Sequence, residues 1–232
     1  MPRSLGLLIT AVVVLACGGG DDDGDATDGV TSPGNLATAT STGGGGDKPT
    51  PAPTPAPGEV SVANEAFSVE TPDGVVLKGH LYSPAGPKRQ ALIIVAPVEQ
   101  SIWAESTRAF TSEGIAVFTF DMRGFGETGG DVDAEALAAD ARLITRFVMS
   151  REYPLVYLMG AGRTGAQASV DVGLSLDDLR GVVTYDDSSI RATLGDPSRS
   201  LHINPAPGSW SGQDILAQES VRDAVLDFVL GR

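Results

Sequence analysis

The sequence predicts an α/β domain in which a mostly parallel sheet carries helices on both faces. Two observations support this prediction. From about residue 90 onward, short apolar runs alternate with helical stretches, and this alternation is typical of buried parallel strands joined by crossover helices. Before that point, a turn at residues 71–74 separates two alternating stretches, which predicts an antiparallel hairpin at one edge of the sheet.

The elements can be placed in order along the chain. The first hairpin has strands over residues 66–70 and 75–82. The helix over residues 133–150 has its apolar residues on one stripe, as a helix packed on a sheet requires. Buried strands are predicted over residues 91–95, 116–121, 155–159, 179–185 and 200–204, and further helices over residues 101–113, directly after 160–165, and over 219–230.

The composition limits the functions that the chain can have. Its 232 residues are enough for one domain with appendages. The net charge of -14 argues against a nucleic-acid partner, because phosphate backbones repel an acidic protein. A single cysteine excludes an internal disulfide bond. We expect no cofactor. We also expect no metal, because the acidic cluster at residues 21–23, which could be interpreted as a calcium site, is more typical of a solvated linker.

The N-terminal segment carries the features of an export signal. Arg3 precedes an apolar run over residues 5–16 that is too short to span a bilayer, and the run ends at Cys17. Residues 14–17, Val-Leu-Ala-Cys, resemble the lipobox of a bacterial lipoprotein signal peptide. The resemblance implies that residues 1–16 are removed, that Cys17 is lipidated, and that the protein is anchored to the cell envelope. The alternative is an ordinary secretory signal with an incidental cysteine.

Residues 17–58 are predicted to be a disordered tether. They are rich in glycine, aspartate, serine and threonine, and residues 50–57 alternate proline with small residues. Such a composition cannot bury enough apolar surface to form a core. The folded domain is therefore predicted to cover residues 59–232.

A glycine-rich turn, Gly-Ala-Gly-Arg-Thr-Gly at residues 160–165, follows the apolar strand 155–159. It fits the G-x-G-x-x-G pattern of dinucleotide-binding folds through Gly160, Gly162 and Gly165. It also fits a nucleophile elbow, G-x-S-x-G, in which Gly162 replaces the serine. The dinucleotide pattern belongs after the first strand of its unit, whereas several strands precede this turn, so the elbow is favoured and a nucleotide-binding module remains the alternative.

Three segments resemble a known family. Residues 71–79 (TPDGVVLKG) look like the first hairpin of α/β-hydrolases of the serine aminopeptidase and lysophospholipase-like kind. Residues 120–128 (FDMRGFGET) look like their D-x-R-G-x-G-x-S loop, with threonine last, and residues 208–216 (GSWSGQDIL) like the segment that carries their histidine. The resemblance extends from about Val69 to the C-terminus. It implies an α/β-hydrolase-like fold with a shortened C-terminal half and no lid.

The same resemblance implies a degenerate catalytic triad. Glycine stands at the nucleophile position, Gly162, and Ser211 (or its neighbour Ser209) stands where the family has histidine. Neither a glycine nor a serine can act as the general base that such a triad needs. Thr164 replaces a further glycine of the elbow motif, which indicates a reshaped turn. The candidates for the acid of the triad are Asp186, Asp187 and Asp196. Because there is no histidine for them to orient, they are interpreted as turn residues.

The remaining catalytic features are altered as well. After strand 91–95 the family usually has His-Gly, whereas this chain has Ala-Pro-Val-Glu, so Pro97 removes a backbone donor and Glu99 adds charge of the wrong sign for an oxyanion. The two histidines, His80 and His202, lie in predicted strands and are interpreted as structural. Asp121 and Arg123, in the family's loop motif, are interpreted as residues that shape the loop.

These observations predict a membrane-anchored lipoprotein with a non-catalytic α/β-hydrolase-like domain that binds or scaffolds a small-molecule or protein ligand. The charge of Arg163 at the elbow could attract an acidic ligand. The first alternative is a weak or atypical ester or peptide hydrolase with a displaced nucleophile, such as Thr164 or Ser211; the second is the nucleotide-binding module. The candidate pocket consists of Pro97, Val98, Arg163, Thr164 and Trp210.

Overall fold

In the part of the chain that the structure describes, seven strands form one mixed sheet at the centre of the domain. The computed structural model describes residues 63–186, 194, 196–206 and 210–232. The strands are β1 (Ala63–Glu70), β2 (Val76–Ser83), β3 (Gln90–Val95), β4 (Ile115–Phe120), β5 (Leu155–Ala161), β6 (Gly181–Tyr185) and β7 (Ser200–Ile203). The α-helices are α1 (Thr107–Ser112), α2 (Ala134–Met149), α3 (Gly162–Ser175) and α4 (Glu219–Leu230), and short 3₁₀ helices span Gln100–Trp103, Pro197–Arg199 and Ile215–Ala217.

The strand order confirms the predicted fold class. The strands lie in the order β1-β2-β4-β3-β5-β6-β7. The pairs β1–β2 and β2–β4 are antiparallel, and all later pairs are parallel. The turn between β1 and β2 closes with the Gly74 N–H donating to the Thr71 carbonyl oxygen at 2.9 Å, and Gly74 has φ +87°. The hairpin thus lies at one edge of a mostly parallel sheet, as the sequence predicts.

Helices cover both faces of the sheet. On one face, Ile93 of β3 belongs to a buried cluster with Leu137 and Ile144 of α2 and Val172 of α3. On the other face, the neighbouring Leu92 and Ile94 of β3 belong to a cluster that includes side chains of α1 and α4. Because successive strand side chains point to opposite faces, an apolar run such as Ala91–Val95 can supply both cores at once.

One predicted element is wrong. The single helix expected over residues 101–113 is instead the 3₁₀ helix Gln100–Trp103 followed by the shorter α1. At the break, the Thr107 hydroxyl donates to the Ala104 carbonyl oxygen at 2.8 Å, and the Ser106 hydroxyl donates to a carboxylate oxygen of Asp214. Side-chain hydrogen bonds of this kind compete with regular helix formation.

An ion-pair network with a buried centre and an exposed outer member, Asp73, joins the hairpin turn to the rest of the domain. The Arg123 guanidinium donates to both carboxylate oxygens of Asp140 on α2, at 2.7 and 2.8 Å, and to Asp73 in the hairpin turn at 2.7 Å. Arg123 and Asp140 are almost fully buried. The Arg123 hydrogen bond holds the pKa of Asp73 well below its usual range, and the two carboxylates raise the pKa of Arg123. The loop residue Arg123 thus connects three elements.

The neighbouring Asp121 organises the loop after β4. Its buried carboxylate accepts the backbone N–H of Gln100 at 2.7 Å and that of Glu127 at 3.0 Å. Gly126 has φ +49°, and a Cβ atom there would overlap the Asp121 carboxylate. The contacts of Asp121 and Arg123 are therefore those of loop-shaping residues.

The predicted signal peptide, Cys17 and the tether lie outside the described residues. Within residues 63–232, and with the gaps given above, none of the helices combines the length and apolar character that a bilayer-spanning helix requires. In the same part of the chain, no group of three or more histidine, cysteine or acidic side chains is arranged to hold a metal ion. Lipidation at Cys17 therefore stays a prediction.

Candidate functional site

The elbow lies where β5 passes into α3. Strand β5 ends at Ala161 and α3 begins at Gly162, which has φ +68°. This left-handed conformation is costly for residues with a side chain and free of strain for glycine. The sharp strand-to-helix turn is therefore present with glycine at its tip. The replacement of glycine by Thr164, half-buried in the first turn of α3, does not remove the turn.

The other two glycines of the turn allow close packing. A Cβ atom on Gly160 would overlap the carbonyl oxygen of Gly165 and lie 2.6 Å from the Ser169 hydroxyl oxygen. A Cβ atom on Gly165 would overlap the carbonyl oxygen of Val95, at the end of β3. Gly160 and Gly165 thus bring α3 against the sheet. The G-x-G-x-x-G pattern consequently has a structural explanation that requires no bound nucleotide.

The indole of Trp210 lies directly over Gly162. A Cβ atom on Gly162 would overlap the ring at Cζ3 and lie 2.5 Å from Cε3 and 2.7 Å from Cη2. The space in which a nucleophilic side chain would stand is therefore filled by the indole. The sequence predicts Trp210 in the pocket at the elbow, and in the structure Trp210 occupies that space.

A short turn over residues 210–214, here called the Trp210 turn, holds the indole in place. The indole N–H donates to the Gln213 carbonyl oxygen at 3.1 Å, and the Ser211 N–H donates to Oε1 of Gln213 at 2.6 Å. At its far end, Asp214 accepts the Ser106 hydroxyl and the Leu216 N–H. The turn is therefore closed by its own hydrogen bonds and attached to the domain at Asp214.

The groups expected at the histidine position do not form a base. Ser211 is exposed, and its hydroxyl lies 3.2 Å from Oε1 of Gln213. His80 on β2 contacts Asn64 Oδ1 at 2.7 Å, and His202 on β7 contacts the Thr184 hydroxyl at 2.8 Å. Among the hydrogen bonds between described residues, neither histidine pairs with Ser211 or Thr164.

The acidic candidates occupy different environments. Asp186 is buried and directly follows the last residue of β6, Tyr185. Because Tyr185 pairs with Ala161 of β5, Asp186 lies at the same end of the strands as the elbow. Asp196 is exposed and accepts the Ser198 N–H at 2.9 Å, which lowers the pKa of Asp196. Asp196 therefore acts as the cap of a 3₁₀ helix. Asp187 and Ser209 lie outside the described residues.

Of the remaining predicted pocket residues, Val98 approaches the Trp210 turn. Pro97 and Val98 are half-buried after β3, and a Cβ atom on Gly212 would lie 3.2 Å from Val98 Cγ1. Arg163 is exposed in the first turn of α3 and takes part in none of the ion pairs found among the described residues. The Trp210 turn thus approaches Gly162 through the indole of Trp210 and approaches Val98 through Gly212, and Arg163 directly follows Gly162 in the chain.

A separate cavity lies at the end of the strands opposite to the elbow. It has a volume of about 310 Å³ and is bordered by the starts of β3 and β4 and the end of α4. The elbow follows the other end of β5, so this cavity is not part of the candidate site. Its lining residues are Pro84, Ala85, Gly86, Pro87, Arg89, Gln90, Glu113, Gly114 and Leu230.

Comparison with known proteins identifies the fold. No protein-family model matches the chain, and no curated protein sequence is significantly similar to it. Among solved structures, XC6422 from Xanthomonas campestris, an α/β serine hydrolase without a lid, superposes with a TM-score of 0.51 at 19% identity. The match covers 69% of this chain and 78% of that chain. The likeness concerns the fold, and it agrees with the strand order described above.

Two esterases are also similar. The Pyrococcus furiosus esterase Pf2001 matches 56% of this chain with a TM-score of 0.47 at 17% identity. A thermostable carboxyl esterase from Bacillus coagulans matches 53% with a TM-score of 0.46 at 18% identity. The matched part spans about half of each esterase, 54% and 44% of their chains.

Proposed function

We propose that this chain, which has the α/β-hydrolase fold, is a non-catalytic binding domain anchored to a membrane of the cell envelope through lipidated Cys17. The non-catalytic role is supported by the position of Trp210, whose indole fills the space over Gly162. An elbow that has glycine at its tip and an indole above it has neither a nucleophile nor room for one. The fold therefore provides a scaffold on which a binding site has replaced the reaction centre.

The surroundings of the elbow support the same proposal. Acyl transfer by a triad needs a base within hydrogen-bond reach of the nucleophile and backbone donors for the oxyanion. Ser211 replaces the base and contacts Gln213 instead. Pro97 follows β3 at the place where a backbone donor would be needed, and proline has none. A small-molecule or protein ligand would bind around Val98, Trp210 and Arg163.

The absence of catalysis can be tested on the full-length chain purified in detergent. We expect no labelling by a fluorophosphonate probe and no hydrolysis of short p-nitrophenyl esters above the buffer rate. Gly162 has no hydroxyl, and among the described residues neither histidine pairs with Thr164 or Ser211. An active serine hydrolase with the same fold serves as the positive control. Labelling that mass spectrometry assigns to one residue of this chain would contradict the proposal.

A hydrolase with a displaced nucleophile is the second candidate. The similarity to a serine hydrolase favours it, and the hydroxyl groups of Thr164 and Ser211 lie in the elbow's first helical turn and in the Trp210 turn. In that case the same probe would label one of them. Labelling would then disappear in either Thr164→Val or Ser211→Ala, whereas the other variant would keep it.

The proposed anchor rests on the lipobox-like sequence that ends at Cys17. In bacterial cells we expect the wild-type chain in the membrane fraction and the Cys17→Ser variant in the soluble extracytoplasmic fraction, because serine has no thiol to acylate. Labelling of the wild type by radioactive palmitate, and not of the variant, would be the direct readout. Equal membrane association of both chains would contradict lipidation at Cys17.

A further inference from the structure

The indole of Trp210 rests on Gly162 without a hydrogen bond to the body of the domain. An indole has a single donor and no acceptor, and its N–H is used at the Gln213 carbonyl oxygen, inside the Trp210 turn. The contact with Gly162 therefore consists of van der Waals packing and the exclusion of water. Rotation of the ring away from Gly162 breaks one hydrogen bond, which water can replace.

The space over Gly162 accommodates a planar ring, because the indole of Trp210 occupies it. Its floor is the Cα atom of Gly162, where the lack of a side chain lets the ring lie against the backbone. Val98 and Trp210 both pack against the buried cluster that contains Tyr185, Ile215 and Leu216. A space of this shape fits planar apolar groups of similar size, because they can make the van der Waals contacts that the indole makes.

We propose that the space over Gly162 is a binding site for a flat, ring-bearing ligand, and that Trp210 closes this site in the free protein. This inference rests on the proposed function, since it specifies the ligand class of the same non-catalytic site. Trp210 is then an internal competitor. The affinity for the ligand is lowered by the fraction of molecules in which the indole covers the site, and removal of the indole raises it.

The test uses indole as the probe and the Trp210→Gly variant of the full-length chain, whose fold is checked by far-UV circular dichroism. At an indole concentration of about 100 times the Kd of this variant, we expect the Tm of Trp210→Gly to be about 5–10 °C higher than without indole. Calorimetric titration gives the Kd itself. The wild type should bind indole at least about tenfold more weakly, because Trp210 competes for the space.

The matched control adds Gly162→Ala to Trp210→Gly. The new methyl group occupies the floor of the site, so we expect indole binding to weaken at least about tenfold relative to Trp210→Gly alone. If Trp210→Gly is unfolded, Trp210→Ser opens the same space and replaces it. Failure of the folded variant to bind indole, or equal binding by the Gly162→Ala control, would overturn the inference.

These outcomes are separate from those of the hydrolase test. Indole binding together with fluorophosphonate labelling would leave the site over Gly162 in place and contradict the non-catalytic role. No labelling and no indole binding would leave the non-catalytic role in place and remove flat rings as its ligand class.

Discussion

Replacement of Arg123 by alanine is expected to lower the free energy of unfolding by about 3–5 kcal/mol, because it leaves the buried Asp140 carboxylate without its partner. Chemical denaturation monitored by circular dichroism measures this loss. Part of the difference from the wild type should disappear as the pH falls from about 4 through the lowered pKa of Asp73, because a protonated Asp73 no longer forms an ion pair with Arg123. Asp73, whose pKa is lowered in the folded protein, stabilises the wild type above that pH and ceases to do so as it is protonated.

The control for this variant is Arg108→Ala. Arg108 is an exposed arginine on α1, and its replacement should change stability by no more than about 0.5 kcal/mol. A loss of similar size in both variants would mean that overall charge, rather than the pairing with Asp140, is responsible. A loss in Arg123→Ala that is independent of pH would argue against the carboxylates as its source.

Replacement of Gly165 by alanine is expected to lower the free energy of unfolding by about 3 kcal/mol, the upper end for overpacking in a core. The new methyl group would overlap the carbonyl oxygen of Val95, which belongs to the backbone and cannot rotate away. Relief requires α3 to move off β3. Denaturant unfolding at fixed pH measures the change.

Gly129 provides the matched comparison. It lies in the loop after β4, does not have a left-handed φ, and a Cβ atom there would meet no atom within 4 Å. Gly129→Ala should therefore be neutral within about 0.5 kcal/mol. Similar destabilisation by both substitutions would indicate an effect on the unfolded state, since alanine restricts the unfolded backbone at either position.

Much of the fold could be predicted because its signals are local. Buried strands appear as apolar runs, and helix α4, predicted over residues 219–230, has those bounds in the structure. The interruption between Trp103 and Thr107 could not be predicted in the same way. At the interruption, Ser106 donates a hydrogen bond to Asp214, and these two residues lie far apart in the sequence and meet only in the folded chain.

The candidate site was predictable in part for the same reason. The glycine pattern locates the elbow, because the left-handed conformation of Gly162 favours glycine and the close packing at Gly160 and Gly165 leaves no room for a side chain. The position of the indole over Gly162 has no such local signal in the sequence. A tryptophan can line a pocket or fill it, and only the path of the chain between α3 and residue 210 decides which occurs.

The direction of β1 has a consequence for access to the site. Ala63, the first residue of β1, pairs with Ser83 at the end of the sheet where β3, β4 and β5 begin. Gly162 follows the last residue of β5 and so lies at the other end of the strands. The first residue of the described domain and its elbow thus lie at opposite ends of the strands. A ligand bound beside Trp210 would therefore lie far from Ala63, where the described part of the chain begins.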